Sequence, residues 1–100
     1  METTAEKAVA DLLRETEAAH GAYETDVLAG VYDEAWPGWY AAYLLDHGLG
    51  DHLPSAESLD VGNLTAMLTR LAADYERGEQ TNPWPDVYAR GLVAGFRPRL

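Results

Sequence analysis

The stretch Ala35-Trp36-Pro37-Gly38-Trp39-Tyr40-Ala41-Ala42-Tyr43-Leu44-Leu45-Asp46-His47-Gly48 decides how the rest of this chain is read. Proline stands at what would be the first helical position, where its missing N–H costs nothing and its fixed φ suits the turn. Gly48 follows the last periodic residue and can adopt the left-handed conformation that closes a helix. The spacing therefore predicts a helix of about three turns. Trp36, Tyr40, Tyr43 and Leu44 share one face, Trp39 widens it, and Ala41, Ala42 and Leu45 fill the remainder. Asp46 is its one charged residue. A helix apolar on nearly every side needs cover on more than one side, so this segment is expected to be the central helix of the fold.

Upstream, a threonine at position 3 or 4 followed by Glu6 or Lys7 offers a capping start for a first helix. Val9, Leu12, Leu13, Thr16, His20, Tyr23 and Val27 continue at three- and four-residue spacing as one stripe. Glu6, Asp11, Arg14, Glu15 and Glu17 lie opposite, facing solvent. Gly21 inside this pattern costs about 1 kcal/mol relative to alanine and marks a place to bend or end; Gly30 is the last plausible stop. The short connection Val31 to Ala35 favours an antiparallel hairpin, which brings His20 and Glu24 close to Trp36 and Tyr40. Asp33 and Glu34, in that connection, read as solvated.

Downstream, Gly50 to Leu59 forms the main loop, with a brief turn at Pro54 to Glu57. Asp60 is the best N-cap in the chain, opening a third helix whose stripe is Leu64, Met67, Leu68, Leu71 and Tyr75 and which Arg77-Gly78 ends. Glu79 to Pro83 reads as a turn. A fourth helix starts at Trp84-Pro85, carries Tyr88, Leu92, Val93 and Phe96, and is stopped by Pro98. Gly91 and Gly95 leave one side of it bare for a close neighbour. The run from Trp36 aligns with the run from Trp84, sharing Trp, Pro, Tyr, Ala and Leu, and each follows a helix ending in Tyr-Glu (Tyr23-Glu24, Tyr75-Glu76). Either a degenerate repeat or a shared way of starting a buried helix accounts for this. The expected fold is all-α, a four-helix domain of two helical hairpins, occupying residues 1–100 as a single domain.

Composition narrows the function classes. With no cysteine among 100 residues there is no disulfide, thiolate nucleophile or thiolate metal site. The net charge of −10 weighs against nucleic-acid binding and against docking on an anionic membrane. No run is long enough to span a bilayer, and the acidic start is unlike a signal peptide, so the expected location is cytoplasmic. Charge is uneven: residues 1–60 set thirteen acids against Lys7 and Arg14, net −11, while residues 61–100 set four acids against five arginines, net +1. These halves could pair within or between molecules, although scattered solvated charge is the plainer reading.

The pattern Leu12-Leu13, Ala18-Ala19-His20-Gly21, Tyr23-Glu24 and Trp36-Pro37-x-Trp39-Tyr40-Ala41-x-Tyr43 resembles a motif of small uncharacterised bacterial helical proteins. The resemblance covers about half of the chain, residues 12–48. It implies a helical fold and a bacterial, cytoplasmic origin, and it brings no activity with it.

The candidate site is His20, Glu24, Trp36, Trp39, Tyr40 and Tyr43. His20 and Glu24, four apart on a helix, can share a proton or a metal, and the aromatic residues can wall a planar or cationic ligand. For His20 the structural role is favoured: one ring nitrogen bonded to a tyrosine hydroxyl or backbone carbonyl. Asp46, His47, Asp51 and His52 match no metal-binding spacing and are assigned to capping and loop solvation. No phosphate loop or nucleophile elbow is present, so neither cofactor nor metal is expected and an enzyme is the weaker class. The expected function is a non-enzymatic interaction module whose aromatic helix meets a protein partner, a second copy included. The alternative is a small-molecule binding protein with its pocket between the first two helices.

Overall fold

The structure, a computed structural model, describes residues 3–78 and 82–97 and contains four helices, α1 (Thr4–Asp26), α2 (Trp36–Asp46), α3 (Val61–Arg77) and α4 (Trp84–Gly95), with a 3-10 turn at Leu49–His52. Local chemistry sets their starts. The Thr3 hydroxyl accepts from the Glu6 N–H while the Glu6 carboxylate accepts from the Thr3 N–H, a complete capping box on α1. Asp60 accepts the Asn63 N–H at 2.7 Å and opens α3. Both Trp-Pro pairs sit in the first turn of their helices, α2 and α4, as expected. Gly48 is left-handed (φ 86°) and ends α2. Gly78 ends α3 differently, in an extended conformation (φ −94°, ψ −174°). Gly21 neither ends nor interrupts α1, and Pro98, expected to stop α4, lies outside the described residues, as do 79–81.

Contacts order the helices as a ring. Among the described residues α1 packs on α2 and α4, and α3 on α2 and α4, while the diagonal pairs keep their backbones apart. The α1–α4 and α2–α3 packings are the most extensive, so the two sequential hairpins are laid against each other to close a four-helix bundle. Side-chain partners give the directions. Glu17 meets Trp84 and Arg14 meets Asp86; Leu71 faces Gly91 and Met67 faces Gly95. α4 therefore runs antiparallel to both α1 and α3, its start lying beside Glu17 of α1 and the last turns of α3.

One hydrophobic cluster fills the ring. Val9, Leu13, Tyr40, Leu44, Leu49, Leu64, Leu68, Tyr88 and Leu92 are among its buried members, drawn from every helix and from the 3-10 turn. In a closed ring no helix is central, and this corrects the expectation for α2. Tyr40, Ala41 and Leu44 are buried, Trp36, Trp39 and Tyr43 are half-buried, and Ala42 and Asp46 are exposed. Its outer aromatic residues cover one another instead: Trp39 stacks on Tyr43 (5.4 Å, 14°) and Tyr43 on His47 (3.8 Å, 12°). Charge complementarity between the chain halves is also reversed. The ion pair joining them among the described residues sets Arg14 of the acidic half against Asp86 of the other, at 3.0 Å.

Candidate functional site

His20 is 6% exposed on the inner face of α1, with its ring 4.9 Å from Trp39 and 5.2 Å from Tyr40. Its Nε2–H donates to Asp33 Oδ2 at 2.9 Å, and its Nδ1 lies 3.8 Å from Glu24 Oε1. Glu24 in turn accepts the Asp33 N–H at 3.0 Å, and the second Asp33 oxygen accepts the Ala35 N–H. The structural reading of His20 is right in kind and wrong in partner, because a carboxylate rather than a tyrosine or carbonyl satisfies the ring. Asp33, expected to be solvated, is the pivot of the network, its side chain 13% exposed. The three residues pin the α1–α2 connection to α1. His20, Glu24 and Asp33 line neither of the two hollows described below.

The predicted constellation divides at this point. Trp39 and Tyr43 belong to the outer face of α2, where with Ala42, Asp46 and His47 they line an open hollow of about 390 Å³. The His47 Nδ1–H donates to the Tyr43 carbonyl at 2.8 Å, the capping role expected at a helix C-terminus. Among the described residues no three histidine, aspartate or glutamate side chains gather in a way that could hold a metal ion.

Trp36 and Tyr40 face elsewhere. They line a cleft of about 340 Å³ between the first turns of α2 and α4, the last turns of α3 and Glu17 of α1. The other walls are Tyr75, Trp84, Tyr88 and Ala72, with Glu17 and Glu76. The two Trp-Pro helices contribute alike. Trp36 meets Tyr40 edge to face (5.0 Å, 76°), and Trp84 meets Tyr88 the same way (4.9 Å, 66°). Tyr40 reaches Trp84 at 6.2 Å, so the rings bridge a diagonal that the backbones leave open. Glu17 accepts the Trp84 indole N–H at 3.2 Å, and the Tyr75 hydroxyl donates to the Asn82 carbonyl at 2.7 Å, which fixes two of the walls.

The cleft is electrically negative. Burial first, then the Glu17 and Glu24 carboxylates, holds the Tyr40 phenol well above its ordinary range. Burial, with Glu76 and Tyr75 behind it, pushes Tyr88 up to about 12.

Glu17, Tyr75, Glu76, Trp84 and Tyr88 were absent from the candidate set. The alignment of Trp36/Tyr40 with Trp84/Tyr88 was the available signal, since equivalent positions on two helices starting at one end must share that end. In comparisons with known proteins, no protein-family model, no curated protein and no solved structure matches this chain.

Proposed function

We propose that this protein is a non-enzymatic binding module that takes a small organic ligand in the cleft between the starts of α2 and α4. The observation that supports this is the cleft itself: five aromatic side chains from three helices around an open volume of about 340 Å³. That volume lies at the low end of the ~300–1,000 Å³ usual for ligand sites, and its walls combine aromatic rings with tyrosine hydroxyls and two carboxylates that can orient a ligand. The alternative expected from sequence thus gains support, with its pocket moved from between α1 and α2 to the end of the bundle. His20 and Glu24 stand outside the lining of this cleft, which favours binding over a reaction that uses them. The test is tryptophan fluorescence and thermal shift against a panel of small neutral, anionic and cationic compounds. Binding that Trp84→Leu removes and Trp39→Leu leaves intact supports the cleft; no response to any compound overturns it.

Self-association through the outer face of α2 is a second reading, favoured by the half-exposed Trp39–Tyr43–His47 stack. Sedimentation velocity across a hundredfold concentration range tests it. A concentration-dependent dimer weakened by Trp39→Ala supports it, and a monomer throughout removes it.

A further inference from the structure

We infer that the ligand held between Trp36, Tyr40, Tyr75, Trp84 and Tyr88 is a small organic cation bearing a methylated ammonium group. This rests on the cleft being a ligand site and specifies which chemistry it selects. Three features of the site converge on it.

The shape comes first. A flat ligand is best held between parallel plates, but consecutive rings here are turned through 76° (Trp36–Tyr40), 56° (Tyr40–Trp84), 66° (Trp84–Tyr88) and 80° (Tyr88–Tyr75). Rings set at such angles wall a box, which suits a rounded head group contacted from several sides. The negative π-face of each ring attracts a cation, tryptophan most strongly.

Charge is the second feature. Among the described residues the ionisable walls besides tyrosine are Glu17 and Glu76, and none of the lining residues is a lysine, arginine or histidine. The arginines close to this end are occupied: Arg14 bridges Asp11 and Asp86, and Arg77 pairs with Asp74. The Tyr40 and Tyr88 hydroxyls are raised first by burial, and the neighbouring carboxylates, Glu17 at Tyr40 and Glu76 at Tyr88, add to it. An anion entering here would meet two carboxylates and no counter-charge.

The third feature is that two of the donors in the cleft walls are already used within the protein. The Trp84 N–H is held by Glu17 and the Tyr75 O–H by the Asn82 carbonyl. A methylated ammonium asks for no further hydrogen-bond partner and presents C–H surface that the rings can cover while its charge is retained.

The experiment uses the full chain, with choline and tetramethylammonium as probes and 3,3-dimethylbutan-1-ol as the neutral carbon isostere of choline. Binding is read by calorimetry and tryptophan fluorescence at low and high salt. The expected result is cation binding about tenfold or more tighter than the isostere, as desolvated cation–π contact implies, and weakened by salt. Glu76→Gln, at an exposed position that leaves the fold intact, should weaken the cations several-fold and leave the isostere unchanged. Equal binding of isostere and cation overturns the charge selection while the cleft stands as a ligand site. The same holds if neutral or anionic panel compounds bind and neither cation does. Silence from every compound overturns both.

Discussion

His20 and Asp33 show how one buried polar side chain can place a loop. An imidazole sealed among Trp39, Tyr40 and Tyr23 must have a hydrogen-bond partner, and Asp33 supplies it across thirteen residues of chain. Asp33→Ala should therefore lower stability by about 1–3 kcal/mol, the cost of leaving a buried donor unpaired, measured as a shift of the urea midpoint at constant slope. The same loss in the His20→Gln background would show that the two residues do not act as a pair. Tyr88 allows a prediction in alkali. Its pKa is near 10 in the unfolded chain and about 12 in the fold, so above pH 10 the unfolded state releases its proton first. The stability it contributes is whole below pH 10 and drains away as pH climbs towards 12. Thermal melts from pH 9 to 11.5 should fall steeply for the native sequence and less steeply for Tyr88→Phe. Parallel curves would mean that the phenol is not protected.

Among the helices, glycine separates local preference from packing. Gly21 lies in the middle of α1 with nothing within 4 Å of an added Cβ. Gly21→Ala should stabilise by about 1 kcal/mol through helix propensity alone. Gly91 on α4 has the same intrinsic preference and the opposite surroundings, because its Cβ would collide with Leu71 Cδ2 and crowd two more atoms of that side chain. Gly91→Ala should destabilise, the overpacking cost of about 1–3 kcal/mol outweighing the propensity gain. Chemical denaturation of the two variants should shift in opposite directions. Equal shifts would mean that α3 and α4 approach less closely than the side chains require. The bare side of α4 was legible from the Gly91–Gly95 spacing; the identity of its neighbour was not, since spacing fixes a face and never what lies against it.

For the molecule as a whole, the aromatic residues do two jobs. Tyr40 and Tyr88 are buried in the core and also wall the cleft, while Trp36, Trp84 and Tyr75 are partly buried, packed against the core and lining the cleft. Trp39 belongs to neither set, stacked half-exposed against Tyr43, His20 and Tyr23. Trp39→Ala should accordingly cost less than the ~3–5 kcal/mol of a fully buried tryptophan and leave a cooperative thermal transition with an unchanged helical circular dichroism spectrum. Loss of cooperativity would mean that this ring anchors the bundle. Among the described residues no helix is long and apolar enough to cross a membrane.

Helix number, helix starts and most of the core stripes were readable in the chain, because capping, proline position and three-to-four-residue periodicity act over a few neighbouring residues; Val27, read into the first stripe, lies past the end of α1 and is 65% exposed. Thr3-Glu6, Asp60, Trp36-Pro37 and Gly48 each carry their own instruction. Closure of the ring, the salt of Arg14 with Asp86, and the grasp of Asp33 on His20 needed the packed molecule, since each joins residues that no local rule relates. The cleft is the sharpest case. Trp36 and Trp84 stand 48 positions apart, and only antiparallel packing brings both helix starts to one end, where their rings wall a common space.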